Sequence, residues 1–287
     1  MQTVLSIAVD ALAYGMVLFV ISIGLSVTMG LMRVINLAHG AFAMIGGYIA
    51  SYAAHELGLG YALAVVLAVA GTVVIAIPIE RLLYRRIYGA PELTQVLMTI
   101  GITFCIIGIA NYVFGPTLKT IPLPPSLQGS VDLGFRSIGT QRIFAIVCGL
   151  AVAAALWFAI EKTSFGVKLR ASVDNAAMAA ALGVRTEIVY AVSFAVAVGL
   201  AAFGGVVGAE LLPVEPYYAL RYMVTFLVVV SVGGAGSIPG ALLACLLLGG
   251  IDTAGRYLMP EYGEFFFYLA VIAIICVFPR GLGAKAK

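Results

Sequence analysis

Six stretches of this chain stay uncharged over close to a membrane's thickness: 5–31, 57–79, 93–114, 143–160, 188–209 and 222–251, with Asp10 the one exception. An α-helix rises about 1.5 Å per residue, so about 20 apolar residues cross a hydrocarbon core about 30 Å thick. Most of the six reach that length, and two shorter uncharged runs, 37–54 and 265–279, accompany them. A transmembrane β-barrel would alternate apolar and polar residues in segments of about ten, a pattern this sequence does not show. A soluble core is equally excluded, because 63% of residues are apolar, 10% are charged and the mean hydropathy is +1.12. The expected fold class is all-α, one polytopic transmembrane helical bundle over residues 1–287.

No Lys or Arg precedes Arg33, and the apolar run from Val4 to Met32 is too long for the core of a cleavable signal, so it reads as the first span. With the N-terminus outside and successive runs alternating, Arg33, Arg81, Arg85, Arg86, Lys162, Lys168, Arg170, Arg185, Arg280, Lys285 and Lys287 share one face. Lys119, Arg136, Arg142, Arg221 and Arg256 share the other. The positive-inside rule makes the first face, and with it the C-terminus, cytoplasmic. The net charge of +3 reflects this asymmetry and implies no nucleic acid. For the tail to lie inside, 222–251 must cross twice or not at all; its centre, VGGAGSIPGA, breaks any continuous helix and reads as two helices joined by a tight Gly/Pro turn. That gives about nine crossings, with about eight or ten as alternatives.

Enzyme chemistry finds no support. Cys105, Cys148, Cys245 and Cys276 all sit within apolar runs without C-x-x-C spacing, and His39 and His55 are too few and too separated for a metal site. No G-x-x-x-x-G-K-[ST] run occurs, so the chain carries no P-loop, and no nucleophile–His–acid set has a suggestive context.

Transport remains, and the breaks in the helices indicate where to look, since freed backbone groups and helix ends can line a polar path. Two regions qualify as path or gate: Arg33 to Tyr48, with Asn36, His39 and Gly40, and Ser231 to Ala241, with Gly233, Gly234, Gly236 and Pro239. For Asn36 and His39 the competing role is helix capping at the interface. Gly46 and Gly47, Gly204 and Gly205, and Gly249 and Gly250 read as packing glycines. Gln95, Thr99, Thr103 and Asn111 form one helical stripe, facing either a path or a neighbouring helix. Asp10, Glu80 and Asp252, near span ends, read as interfacial anchors, with ion coupling at Asp252 as the alternative. Thr117 to Phe135, carrying Pro122, Pro124 and Pro125, reads as a stiff loop over the helix ends, or a docking point for an external partner.

A sizeable link of hydrophilic and small residues lies at about 162–187. It opens on Lys162, Lys168 and Arg170 and continues into an Ala-rich helix, Ala176 to Leu182, with Ser172 or Asp174 placed to cap its start and Gly183 to end it. A helix that short is not stable alone in water, so it must form against the membrane domain or a partner. A small helix on the basic side suits docking into another protein's groove, and a plain connecting loop is the alternative.

Three stretches, GLMRVINLAHGAFAMIGGYIA (Gly30 to Ala50), RASVDNAAMAAALG (Arg170 to Gly183) and VVSVGGAGSIPGALLACLLLGG (Val229 to Gly250), together resemble the permease subunits of branched-chain amino acid ABC importers, the first of the two paired types. The resemblance runs in order over nearly the whole chain. It implies that Gly166, Arg170, Ala171, Asp174, Met178, Ala179, Leu182 and Gly183 belong to a cytoplasmic coupling segment that rests on an ATPase subunit. It also implies a bacterial cytoplasmic (inner) membrane location, a second permease subunit, two cytoplasmic ATPase subunits that use the ATP, and an external solute-binding protein. This chain itself would bind no cofactor, and its solute would be a branched-chain amino acid or a related small polar molecule. Asn175 stands where the family often has a second acidic residue, and Ala176 and Ala177 where charges are common. From the residues alone, an ion-coupled secondary transporter and a passive channel remain the alternatives.

Overall fold

The computed structural model describes residues 2–132, 137–279 and 281–283. Phe135, Arg136, Arg280, Lys285 and Lys287, and so the sidedness argued from the tail, lie outside the described residues. The chain is helical almost throughout. In order come α1 (Gln2–Leu31), α2 (His39–His55), α3 (Tyr61–Ile79), a π-helical turn (Glu80–Tyr84), α4 (Arg85–Ile87), α5 (Glu92–Phe114), α6 (Thr140–Lys162), α7 (Ser164–Asp174), α8 (Ala176–Ala181), α9 (Thr186–Val207), α10 (Tyr218–Gly233), α11 (Ile238–Leu258) and α12 (Gly263–Val277). A small antiparallel hairpin, β1 (Ser130–Asp132) with β2 (Ser137–Gly139), precedes α6.

By length and composition six helices can cross a membrane: Val4–Gly30, Tyr61–Ile87, Glu92–Phe114, Thr140–Lys162, Thr186–Val207 and Ile238–Leu258. Helices α10 and α12 are apolar but shorter, and α2 has 17 residues. The protein is thus a multi-pass, all-helical membrane protein.

Helix α1 stands at the centre. It is apolar on every side, as a helix with no water-facing surface must be, and Met16 to Ile21 are almost wholly buried. Helices α6, α9, α10 and α11 surround it. The peripheral helices bury one stripe each: Ala64, Ala68, Thr72 and Ala76 on α3 and Gln95, Thr99, Thr103 and Ile107 on α5, four residues apart. Their other faces expose Leu63, Val66, Val74, Phe104 and Ile109, as lipid-facing surfaces do.

Small residues let the inner helices touch backbone to backbone. A Cβ on Gly46 would lie 2.6 Å from Ala202 Cα, and one on Gly249 would lie 2.9 Å from Gly15 Cα. Gly250 departs from the expectation: a Cβ there would meet nothing, so only Gly249 of that pair packs.

The 222–251 run does divide. Helix α10 stops at Gly233, and the chain turns through Gly234 and Gly236 at φ of 85° and 82°, a region that residues with a Cβ rarely adopt. Ser237 then accepts a hydrogen bond from Gly240 N at 3.1 Å to cap α11, with Pro239 in its first turn, where the missing N–H costs nothing. The Pro-rich loop lies over the bundle rather than apart from it. Lys119 pairs with Val214, Ser51 Oγ donates to Thr120 O at 2.9 Å, and Ile121 is buried.

Candidate functional site

Three places carry the polar groups of this apolar bundle. The first is the junction between α1 and α2. The chain leaves α1 through Arg33, whose φ of 54° is the one positive value outside glycine among the described residues, and re-enters a helix at His39. Asn36 and His39 are fully buried. Tyr84 OH donates to Asn36 Oδ1 at 2.6 Å, and His39 Nε2 lies 2.7 Å from Ile21 O. A carbonyl can only accept, so Nε2 carries the proton and Nδ1 of a neutral ring is left as an acceptor. Neither His39 Nδ1 nor Asn36 Nδ2 has a hydrogen-bond partner. Both residues line a cavity of about 10 Å³ closed by Met223, Phe226 and Leu227 of α10. Gly40 brings α10 close, since a Cβ there would sit 3.3 Å from Ala219 Cα.

Gln95 and Thr99 brace this junction from α5. Ile35 N donates to Gln95 Oε1 at 2.9 Å, Gln95 Nε2 reaches Ala90 O at 3.1 Å, and Thr99 Oγ1 returns to Gln95 O. The stripe that includes Thr103 therefore faces a neighbouring segment. The π-helical turn, two residues after Pro78, sets Glu80, Tyr84 and Tyr88 on one side; Tyr88 OH donates to Glu80 at 2.6 Å. Glu80 is thus buried and paired, not an interfacial anchor.

The second place is the end of the bundle that carries α7 and α8. The helix expected from the Ala-rich run is preceded by another, α7, and its cap is Asn175, whose Oδ1 accepts from Met178 N at 2.9 Å. Ser172 is inside α7, donating to Lys168 O, and Asp174 closes α7. Gly183, at φ 86°, ends α8, with Val184 N returning to Ala179 O.

Gly166 lets α7 fold across the end of α6, since a Cβ would overlap the carbonyl of Ile160. Arg170 donates to that same carbonyl at 2.8 Å, so its charge caps the C-terminus of α6. Gly166 and Ala179 are buried, whereas Ala171, Asp174, Met178, Leu182 and Gly183 are exposed, Leu182 to 79%. Arg33, Arg81, Arg85, Arg86, Lys162, Lys168 and Arg185 sit at the ends of the helices and links that converge here. Gly30, Gly233, Gly234, Gly236 and Pro239 belong to this end too. The 234–237 turn lies on the end of α1, where a Cβ on Gly30 would overlap Gly236, and Gly236 N donates to Ser26 Oγ at 3.1 Å.

The third place, at the opposite end, was not singled out from the sequence. A cavity of about 490 Å³ opens between α1, α6, α10, α11 and α12, lined with charge of both signs. Asp10 pairs with Arg142 and accepts from Tyr257 OH at 2.6 Å, and Arg256 Nε donates to Asp252 Oδ2 at 3.0 Å. Asp10 and Asp252 are consequently buried partners of arginines, not solvated anchors. The Asp252–Arg256 spacing of four on one helix was readable in advance; the Asp10–Arg142 pair joins distant segments and was not.

The chain matches the family model described as branched-chain amino acid transport system / permease component over residues 7–275. It is 31% identical over 280 residues to the high-affinity branched-chain amino acid transport system permease protein LivH of Escherichia coli (strain K12), covering 91% of this chain and 89% of that one. The corresponding protein BraD of Pseudomonas aeruginosa is 27% identical over 290 residues, 96% of this chain and 94% of that one. A probable branched-chain amino acid transport permease of Methanocaldococcus jannaschii is 25% identical over 288 residues, with 95% and 90% covered. No solved structure matches. With the bundle, its interrupted helices and these full-length similarities in agreement, the chain belongs to the family of permease components of branched-chain amino acid transport systems.

Proposed function

We propose that this chain forms half of the translocation path of an ATP-driven importer in a bacterial cytoplasmic membrane, carrying branched-chain amino acids or a related small polar solute. The names of its relatives support that solute class. Its partners are a second permease, two cytoplasmic ATPase subunits that use the ATP, and an external solute-binding protein. Helices α1, α2, α3, α5, α6, α9, α10, α11 and α12 each cross once, which places α7, α8 and the C-terminus in the cytoplasm. The observation that carries the reading is the pair α7–α8. It sits at the basic end and turns Met178 and Leu182 outward, 59% and 79% exposed, where an isolated membrane protein would keep polar residues.

The path passes the α1–α2 junction. Asn36 Nδ2 and His39 Nδ1 are buried without partners, which costs about 1–3 kcal/mol per group, and movement of α10 away from them opens that spot to solute. ATP binding can drive such a change only through different affinities for the two states.

Affinity purification of the tagged chain in mild detergent, followed by mass spectrometry, tests the reading. A P-loop ATPase and a second permease in comparable amounts are expected. A chain that purifies alone and transports alone in liposomes would make it a carrier or channel instead.

A further inference from the structure

We propose that the cavity at the end opposite α7 and α8 is a solute site of its own on the permease, taking a zwitterionic aliphatic amino acid with its carboxylate on Arg256 and its ammonium on Glu264. The inference rests on the functional reading above and adds to it the place and the contacts at which solute first meets this chain.

The size fits: about 490 Å³ is within the roughly 300–1,000 Å³ of small-molecule sites. So does the charge. Three acids, Asp10, Asp252 and Glu264, and three arginines, Arg142, Arg221 and Arg256, line it. A neutral lining with separated charges favours a neutral ligand with separated charges over a simple cation or anion.

The pairing pattern shows which groups are spare. Asp10 is occupied by Arg142 and Tyr257, and Arg221 is bonded to Glu215 at 2.7 Å. Arg256 is held through Nε alone, by Asp252, whose side chain is 8% exposed. The two Nη groups of Arg256, whose side chain is 60% exposed, have no protein acceptor among the described residues, and a planar pair of Nη donors suits a carboxylate. Asp252 is thus a positioning residue for Arg256. Glu264 lines the same space, near enough to Arg256 and Arg221 to feel both charges, yet it makes no hydrogen bond or ion pair among the described residues, so its carboxylate oxygens are open to a ligand. Leu211, Leu212 and Phe267 supply an apolar wall for an aliphatic side chain. Arg256 and Arg221 are more than half exposed, so solvent and salt screen their charges and binding is weak.

The test uses the assembled importer in nanodiscs without its binding protein, with saturable binding of L-leucine, leucinamide (no carboxylate) and 4-methylpentanoate (no ammonium) measured by ligand-observed NMR. Leucine is expected to bind about tenfold more tightly than either analogue. Arg256→Gln should weaken leucine and 4-methylpentanoate about tenfold and leave leucinamide within about twofold. Glu264→Gln should weaken leucine and leucinamide and spare 4-methylpentanoate. Asp252→Asn should follow Arg256→Gln with a smaller loss. A merely structural role would move all three ligands together, and that result overturns the proposal. So does absence of leucine binding to wild type. ATPase stimulation by leucine-loaded binding protein, measured on the same sample, separates the outcomes. If it persists without leucine binding, only the cavity site falls; if it is also missing, the functional reading falls with it.

Discussion

The two ends of the bundle are held together by different physics. At the basic end the contacts are backbone on backbone: Gly30 against the 234–237 turn, Gly166 against the carbonyl of Ile160, Gly233 bonded through its oxygen to Gly283 N at 3.0 Å. At the opposite end ionised side chains pair around a cavity, Asp10 with Arg142 and Asp252 with Arg256. Backbone contacts of this kind have no slack, so a displacement applied there is passed on rather than absorbed. Side-chain pairs lining a cavity can change rotamer without moving a helix, which packed backbone cannot do. On the proposed reading, one end transmits movement and the other accommodates a ligand.

Five substitutions can break or sharpen that contrast. The largest effect is expected from Gly236→Leu, which needs both a left-handed backbone and room that α1 occupies. Membrane-inserted but monodisperse protein should no longer be recovered by size exclusion; normal yield and uptake would show that the turn has slack after all. Next comes Leu182→Asp on the exposed α8, expected to abolish solute-stimulated ATP hydrolysis with the melting temperature unchanged, since the side chain is 79% exposed. Loss of stability instead would mean that Leu182 packs on its own chain.

At the other end, Asp10→Asn leaves Arg142 without its charge partner. The arginine is one-third exposed, so water recovers part of the loss, and a destabilisation of about 1–2 kcal/mol is expected. Thermal unfolding in detergent measures it, and a loss as large as that of Gly236→Leu would erase the contrast. The last comparison is a pair on α11, and its second member carries the smallest effect of all. Gly249→Ala must displace α1 and should cost about 1–3 kcal/mol, whereas Gly250→Ala meets nothing and should be neutral or favourable by up to about 1 kcal/mol. Equal values for the two would indicate that α1 and α11 are not tightly packed.

Much of this architecture could be read from the chain. Apolar length marked the helices, and the glycines with Pro239 marked the break between α10 and α11, because both signals are local. The cap of α8 is Asn175 and not Ser172 or Asp174, because the chain forms a second helix, α7, up to Asp174 and leaves Asn175 as the extended residue whose side chain is free to cap. The stripe from Gln95 to Thr103 was legible as a stripe, but its target was not, since a buried amide bonds whichever backbone the fold brings to it, here Ile35 N and Ala90 O. Likewise the cavity at the end opposite α7 and α8 was invisible: its walls from α11 and α12 are neighbours in sequence, but Asp10 and Arg142 meet only when α1 and α6 pack.

The bonds from Leu282 N to Val232 O and from Gly283 N to Gly233 O also bear on the order of assembly. A ribosome releases the chain from the N-terminus at about 5–20 residues per second, and earlier segments settle first where they can. The last carbonyls of α10 find these donors only after α11 and α12 have been made and inserted. The 234–237 corner is therefore completed late, and until then it holds unpaired backbone groups that water or a chaperone must cover. Pulse-chase proteolysis of this corner should show protection lagging behind that of α1 and α2, giving the biogenesis of the bundle a defined late step.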